Sequence, residues 1–419
     1  MKNIIFIALL VSLTLFSCGS IDMKSNKNLE LTAKEILGNS KYQAMCYGGY
    51  RTKTRAVVPT ISQIKEDLRL LSAMHINVLR TYNVHYNEVS NLLKAIRELK
   101  KEDPKFEMYV MLGAWIDCKN AWTDQTPVHN EESKRNAKEI AEAVKLTNRY
   151  PDIIKIIAVG NEAMVKWATS YYVTPNLILK WVNHLQNLKK TQKLPNTVWI
   201  TSSDNFASWG GGDAEYHVEE LNQLIQAVDY ISLHTYPMHD THYHPVFWGV
   251  QSDEEQLSEK EKIDLAMIRA RDYAISQYNN VVRYMKSLGV NKPVHIGETG
   301  WATSCNELYG NKGSKATDEY KSALYYKLMR EWSNKQAVTL CYFEAFDEQW
   351  KDSKNVLGSE NHFGLITLES QAKYALWEMV DNGTFKGLTR DGKPITKTYS
   401  GNEKDLWMDV KTPGTLKSN

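Results

Sequence analysis

Eight short apolar segments alternate with eight amphipathic segments between residues 42 and 384, and this alternation constrains the fold more than any other feature. The apolar segments are rich in Val and Ile, as strands covered on both faces are, and they are 43–47, 78–82, 108–112, 153–159, 198–201, 230–234, 294–297 and 338–343. The amphipathic segments repeat apolar residues at helical spacing, and they are 60–74, 86–100, 131–148, 175–190, 216–227, 262–288, 316–333 and 371–380. The alternation predicts an α/β fold, a single-domain (β/α)8 TIM barrel over residues 42–384.

A doubly wound open sheet is the alternative fold for such an alternation. No glycine-rich phosphate-binding motif follows any predicted strand, which disfavours the nucleotide-binding members of that class. The 51 basic residues nearly balance the 49 acidic ones and no long basic run occurs, so we expect no nucleic-acid partner. Histidines cluster at 239–244, but no second group of ligands matches them, so we predict no metal and no other cofactor.

The two ends of the chain differ in composition from the predicted barrel. Residues 1–17 have the charged and apolar regions of a secretory signal, and the Leu-Phe-Ser before Cys18 resembles the lipobox of bacterial lipoproteins. We expect residues 1–17 to be a lipoprotein signal peptide, Cys18 to be acylated, and residues 18–41 to form a polar tether. Ordinary signal cleavage beside an incidental cysteine is the alternative. Residues 385–419 are predicted to form a polar C-terminal appendage.

The predicted location follows from the acylated cysteine. A lipid at Cys18 would hold the barrel at a membrane without any spanning helix. We therefore expect an exported protein that is anchored by lipid to a bacterial cell envelope, on its periplasmic side or at the cell surface.

Two of the predicted strands end on a glutamate, Glu162 and Glu298, which lie 136 residues apart. A carboxylate at the end of a buried strand is costly unless it is paired, hydrogen-bonded or used. The carboxyl ends of barrel strands carry the chemistry of barrel enzymes, and two carboxylates facing across a cleft can cleave a glycosidic bond. The alternative is a pair of glutamates that cap helices or form salt bridges.

Several motifs resemble glycoside hydrolase family 17, the β-1,3-glucanase family within the clan of retaining barrel glycosidases. They are Val-Gly-Asn-Glu at 159–162, Gly-Glu-Thr-Gly-Trp at 297–301, and Phe-Asp-Glu-Gln-Trp-Lys at 346–351, followed by Glu-Asn-His-Phe-Gly-Leu at 360–365. Cys-Tyr-Gly at 46–48 and Leu-Arg-Thr-Tyr at 79–82 agree as well. The similarity extends in one register from about residue 44 to 380.

The resemblance implies a role for each matching residue. Glu162 would be the general acid/base and Glu298 the nucleophile, with their carboxyl groups about 5–5.5 Å apart. Asn161 would bind the 2-hydroxyl of the substrate, and Tyr236 would donate a hydrogen bond to Glu298. Further candidates for substrate binding are Tyr82, Trp115, Trp301 and Phe346. A supporting charged cluster would comprise Glu348, Lys351 and Glu360, for which an ion-pair network bracing the last strand is the alternative.

Aromatic residues supply candidate platforms on which sugar rings could stack, although core packing explains any one of them equally well. These candidates are Trp115, Trp122, Trp209, Phe247, Trp248 and Trp301. The long segment 238–260 follows the sixth predicted strand, so it is expected to narrow one end of the cleft. That arrangement would favour chain ends or short oligosaccharides.

The sequence and the resemblance together predict a retaining hydrolase of laminarin-type β-1,3-glucan that works through a covalent glycosyl-enzyme. Two alternatives remain. A β-1,3-glucan glucosyltransferase would use the same residues, whereas a surface lipoprotein that binds glycans without catalysis would need neither glutamate.

Overall fold

The computed structural model describes residues 31–416 of the 419-residue chain. From Thr32 onward the described residues form one compact unit. Eight parallel strands close into a barrel in which each strand pairs with its neighbours in sequence order, and the last pairs with the first. These strands are β1 (Gln43–Cys46), β2 (Ile76–Arg80), β3 (Tyr109–Ala114), β4 (Ile154–Asn161), β5 (Trp199–Asn205), β6 (Ile231–His234), β7 (Val294–Gly300) and β8 (Leu340–Phe343). The predicted (β/α)8 barrel is confirmed.

Eight helices follow the strands and cover the outside of the barrel. They are α1 (Ile61–Ala73), α2 (Asn87–Glu102), α3 (Asn136–Arg149), α4 (Pro175–Lys190), α5 (Glu219–Ala227), α6 (Glu259–Ser287), α7 (Glu319–Lys335) and α8 (Trp377–Asp381). The sequence also predicts how α1 begins. The Thr60 hydroxyl accepts from the Gln63 N–H over 3.2 Å, and the Gln63 side chain accepts from the Thr60 N–H over 3.0 Å, which is a capping box.

Strands β4, β5 and β7 continue past the apolar runs from which they are predicted. β5 adds Ser202, Ser203 and Asp204, and β7 adds Glu298 and Thr299, all of them buried. The Ser203 hydroxyl, for example, shares a 3.0 Å hydrogen bond with the hydroxyl of Ser232 on the neighbouring strand β6, which offsets part of the cost of burying it. The extensions place polar side chains at the carboxyl ends of the strands.

The seam between the first and last strands is held from outside by Arg330 of α7. Its guanidinium donates to the carbonyl of Leu340 on β8 over 2.7 Å and to that of Ala44 on β1. One buried side chain thereby bridges the two strands that close the barrel, which fixes the positions of the segments that leave their ends.

The predicted tether is wrong for residues 33–41. A short helix, Ala33–Ile36, buries Ala33 and Ile36 almost completely, and the N–H of Gly38 donates to the Thr339 hydroxyl over 2.7 Å. These apolar and backbone contacts hold the segment against the start of β8. The predicted signal peptide, Cys18 and the tether up to residue 30 lie outside the described residues.

The predicted C-terminal appendage is packed onto the barrel. The Asp-Gly turn at 391–392 closes a hairpin, in which Thr389–Arg390 pairs with Lys393–Pro394. Arg390 is fully buried and its Nε donates to Asp67 of α1 over 3.0 Å. The hairpin is thus part of the compact unit. Across residues 31–416 no helix is both long and apolar enough to cross a membrane.

Candidate active site

Glu162 and Glu298 both lie at the mouth formed by the carboxyl ends of the strands. Glu162 follows the last residue of β4, and its side chain is 26% exposed. Glu298 belongs to β7, and its side chain is only 8% exposed. The two carboxyl groups therefore differ in their contact with solvent, and their hydrogen-bond partners differ as well.

Glu298 is surrounded by groups that favour its ionised form. Arg80 of β2 donates to one carboxylate oxygen, and the Tyr236 hydroxyl donates to the other over 2.5 Å, as the sequence predicts. Burial opposes ionisation, but the electrostatic effects of His234 and Arg80, the hydrogen bond from Tyr236 and the charge of Lys351 outweigh it and lower the pKa of Glu298. The buried carboxylate is thus held ready as an anion.

Arg80 and His234 connect the two glutamates through the buried end of the barrel. The second guanidinium nitrogen of Arg80 donates to the side-chain oxygen of Asn161 and lies 3.3 Å from Nε2 of His234. The other ring nitrogen of His234, Nδ1, lies 3.2 Å from Oε1 of Glu162. Because Arg80 binds the oxygen of Asn161, the amide NH2 of Asn161 is the group that can be offered to a hydroxyl.

The backbone turn that carries Glu162 is strained and tightly held. Glu162 has φ of 44°, in the left-handed region, and its N–H donates to the carbonyl of Ser203 over 3.0 Å. Asp204, fully buried at the end of β5, accepts from the N–H of Met164 over 2.8 Å. Burial raises the pKa of Asp204 to about 7, and the negative charge of Glu162 adds to the rise. Asp204 thus fixes the segment just after Glu162.

The structure brings two members of the predicted charged cluster together and leaves the third at the surface. The Lys351 amine lies 3.4 Å from a carboxylate oxygen of Glu348 and 2.7 Å from one of Glu344, a buried residue for which the sequence predicts no role. Burial opposes a charge on Lys351, but these two carboxylates outweigh it and raise the pKa of Lys351, so the amine stays protonated. Glu360 is half-exposed and lies 3.9 Å from His239.

Two predicted substrate contacts are wrong because their side chains are buried. Trp301 is fully buried, and its indole N–H donates to the carbonyl of Ala316 over 2.8 Å. Phe346 is 2% exposed and is covered by the guanidinium of Arg390, 4.1 Å from the ring centre. Both side chains are covered by other parts of the protein, so neither can contact a ligand in the cleft.

Three further aromatic candidates pack against other residues of the protein. Trp209 is fully buried and Trp248 is 2% exposed. Phe247 stacks on Tyr273 of α6, with ring centroids 4.3 Å apart. The expectation that segment 238–260 narrows the cleft with Phe247 and Trp248 therefore loses its basis.

Tyr82 and Trp115 keep partly exposed positions at the mouth. The ring of Tyr82 lies under the Arg80 guanidinium, 4.6 Å away, and meets Phe343 edge to face at 6.5 Å. Trp115 follows β3 and packs against Tyr171, with centroids 5.5 Å apart. Both rings can contact a ligand that reaches the two glutamates.

Four functional residues were not assigned from the sequence. They are Arg80, His234, Asp204 and Glu344. A signal was available for each, because all four are charged or titratable residues at the carboxyl end of a predicted barrel strand. Within residues 31–416 no three His, Cys, Asp or Glu side chains are grouped to hold a metal ion, and the cysteines described there, Cys46, Cys118, Cys305 and Cys341, are free.

A barrel with one glutamate after β4 and another in β7 has the architecture of a glycoside hydrolase. Residues 44–364 match the BtgE/BtgC glycoside hydrolase domain, and the chain belongs to this family. The protein is therefore a glycoside hydrolase.

A solved endo-laminarinase from Formosa Hel1_33_131 is 63% identical to this chain. The match covers 93% of this chain and 99% of that one, with a TM-score of 0.92. A Rhizomucor miehei β-1,3-glucanosyltransferase, solved as an active-site mutant with laminaritriose, is 20% identical over 80% of this chain and 97% of its own, with a TM-score of 0.54. The second likeness is one of fold.

Among curated proteins, a putative glucan endo-1,3-β-glucosidase, btgC, of Aspergillus niger is 22% identical over 311 residues. The match covers 72% of this chain but 37% of that protein, so the chain spans little more than a third of its length. A glucan 1,3-β-glucosidase of Arthroderma benhamiae is 24% identical over 63% of this chain and 70% of its own.

Proposed function

We propose that this protein hydrolyses laminarin-type β-1,3-glucan with retention of configuration, with Glu298 as the nucleophile and Glu162 as the general acid/base. The observation that carries the proposal is the difference between the two carboxyl environments. Glu298 is buried against Arg80 and Tyr236, which favour its anion, whereas Glu162 is more exposed and beside His234. An anion and a group able to exchange protons are what double displacement requires.

In the first step, a Glu298 oxygen attacks the anomeric carbon while Glu162 gives its proton to the glycosidic oxygen that leaves. The carbon–oxygen bond to the leaving sugar breaks, and an ester to Glu298 forms. Glu298 loses its negative charge as the ester forms, so the hydrogen bonds from Arg80 and Tyr236 weaken during this step. Their main role is therefore to orient the carboxylate before it attacks. The amide of Asn161 can donate to the 2-hydroxyl as the ring flattens.

In the second step, Glu162 removes a proton from water, and the resulting hydroxide attacks the anomeric carbon from the face that the leaving sugar vacated. The ester bond breaks and Glu298 returns as a carboxylate. Because both steps invert the anomeric carbon, the product keeps the β configuration. Tyr82 and Trp115 would contact the sugar, and the Lys351 cluster would brace the wall beside Glu298.

The substrate and the mode of cleavage rest on the relatives. The Formosa protein, 63% identical along nearly its whole chain, is named an endo-laminarinase. Since Trp248 and Phe247 are packed within the protein, segment 238–260 gives no reason to expect a blocked cleft. We therefore infer that cleavage occurs within the glucan chain.

A lipid anchor at Cys18 remains part of the proposal. Its support is the sequence around Cys18, which resembles a lipobox. Residues between Cys18 and the first packed helix would then connect the lipid to the catalytic barrel.

Product analysis of long, unbranched laminarin tests the proposed activity. Wild-type protein should release an early ladder of mid-length oligosaccharides, and proton NMR should show the β-anomer first. Glu298→Gln should release none, while Glu403→Gln, at an exposed carboxylate of the C-terminal helix, should match the wild type. No cleavage of any β-1,3-glucan would contradict the substrate. Glucan binding without turnover would favour a binding lipoprotein, and products longer than the starting oligosaccharide would favour the transferase.

A further inference from the structure

Three aromatic rings form a continuous cluster beside the barrel mouth. The ring of Tyr171 stacks against the indole of Trp122, with centroids 4.9 Å apart and planes 19° apart. Trp115 completes the cluster, 5.5 Å from Tyr171 and 6.5 Å from Trp122. Trp122 is nevertheless 57% exposed. Because Tyr171 covers one face of the Trp122 indole, this exposure leaves its other face open to solvent.

The backbone holds Trp122 in a conformation that a bulky residue rarely adopts. Trp122 has φ of 62° and Asn120 has φ of 65°, both in the left-handed region. The turn is fixed from two sides, since the Asn120 side chain donates to the Thr126 carbonyl over 3.0 Å and the Cys118 N–H donates to the Tyr171 carbonyl over 3.1 Å. Such strain persists only where the surroundings enforce it, and it concentrates at ligand-binding sites.

The cluster lies on the Glu162 side of the mouth. Trp115 and Trp122 follow β3, and Tyr171 lies on the segment that follows Glu162 at the end of β4, the neighbour of β3. Glu298 lies three strands away on β7. Burial raises the pKa of Tyr171, and among the nearby charges Glu162 contributes the most. A general acid lies beside the oxygen that it protonates, so the departing part of the substrate occupies this side.

We propose that Trp122, backed by Tyr171, is a stacking platform for the glucose units on the leaving-group side of the cleaved bond. The inference rests on the proposed β-1,3-glucan hydrolase activity and adds a specificity determinant to it. A β-linked glucose ring carries apolar C–H faces, and a flat indole of which one side is already packed can cover such a face with little loss of its own freedom.

The platform predicts how rate depends on the leaving group. A leaving group of several glucose units offers sugar faces that can stack on Trp122, whereas a nitrophenol leaving group contains no glucose unit on that side of the cleaved bond. Losing the platform should therefore cost more with an oligosaccharide than with an aryl glycoside. A purely structural role for Trp122 in its turn would reduce both reactions together.

The test compares kcat/KM for laminarihexaose with kcat/KM for 4-nitrophenyl β-laminaribioside. Trp122→Ala should lower the hexaose-to-aryl ratio about tenfold, the effect expected for one lost aromatic contact. Trp122→Phe keeps a flat ring over Tyr171 and should retain most of the ratio. Met408→Ala, at a side chain that is 65% exposed on the C-terminal helix Glu403–Asp409, should keep the wild-type ratio.

Three outcomes would overturn the inference. An unchanged ratio in Trp122→Ala, with an active wild type, would remove the platform and leave the proposed function intact. An equal fall with both substrates would assign Trp122 to the structure of the turn. A wild type that cleaves neither substrate would contradict the proposed function, and the platform with it.

Discussion

The hydroxyl of Tyr236 donates a hydrogen bond to Oε1 of Glu298 over 2.5 Å, near the carboxyl end of β7. This contact joins the segment after β6 to a carboxylate on β7. It favours the charged form of Glu298 and aims one of its oxygens, while Arg80 holds the other. The proposed nucleophile is thus oriented by two elements of the barrel that are distant in sequence.

Removing this hydroxyl should slow catalysis and shift its pH dependence. The hydrogen bond lowers the pKa of Glu298, so Tyr236→Phe raises it, and the acidic limb of the kcat/KM profile moves to higher pH. We expect kcat to fall about 10- to 100-fold, less than the roughly 100- to 1,000-fold cost of losing an oxyanion-hole donor, because the charge on Glu298 decreases in the first step. Tyr278→Phe, which loses a 3.2 Å hydrogen bond to the carbonyl of Val294 at the other end of β7, is the matched control. A Tyr236→Phe profile without this shift would mean that the hydroxyl does not act on Glu298.

Arg80 and Glu298 should depend on each other for stability as well as for activity. Arg80→Met leaves a buried carboxylate without its cation, which should lower the free energy of unfolding by roughly 3 kcal/mol at neutral pH. Adding Glu298→Gln removes that uncompensated charge, so the double variant should be more stable than Arg80→Met alone. Urea unfolding of the two single variants and the double variant measures the coupling. Purely additive effects would contradict a strong interaction between the two side chains.

Asp204 should make stability fall as pH rises. Burial, with the charge of Glu162, raises the pKa of Asp204 from its ordinary 3.8 to about 7, so the folded protein binds a proton that the unfolded chain releases. The contribution of Asp204 to the stability of the wild type should therefore decrease between about pH 4 and pH 7. Asp204→Asn should be more stable relative to wild type at pH 8 than at pH 4, as thermal melts at the two values would reveal. Asp253→Asn, at an exposed residue of the short 3-10 helix Ser252–Glu254, is the control. An Asp204→Asn difference that is the same at both pH values would contradict this account.

Cys18 should determine where the protein resides and not how fast it works. Cys18→Ala should release the protein from the membrane fraction of expressing cells, because the site of acylation is lost. Activity of the released barrel on soluble laminarin should equal that of the wild type. Fractionation followed by immunoblotting measures the first effect. A Cys18→Ala protein that stays with the membranes would show that something other than a lipid holds it there.

The sequence predicts the barrel well because hydrophobic periodicity is a local signal. All eight strands and the helices between them are found near their predicted positions, and the capping box at Thr60 is present. The ends of the strands are less accurate. Apolar runs stop at Thr201 and Gly297, whereas β5 and β7 continue through buried polar residues whose partners come from other strands. A pattern within one segment cannot reveal such partners.

The same limit explains the errors at the site. Trp301 and Phe346 belong to motifs at the catalytic face. Whether they are buried depends on distant segments: Trp301 donates to the carbonyl of Ala316, just before α7, and Phe346 is covered by Arg390 of the C-terminal hairpin. The sequence assigns no role to Arg80 or His234 for a related reason. Each lies on a different strand from the glutamate that it contacts, so only the closed barrel brings it to Glu162 or Glu298.

The assignment of Glu298 as nucleophile and Glu162 as acid/base is tested most directly by azide rescue of the two alanine variants on an aryl β-laminaribioside. Glu162→Ala lacks the group that activates water but can still form the glycosyl-enzyme, so azide should restore turnover and give the β-glycosyl azide. Glu298→Ala has no nucleophile and should give no β-azide. A β-glycosyl azide formed by Glu298→Ala, and none by Glu162→Ala, would reverse the two roles.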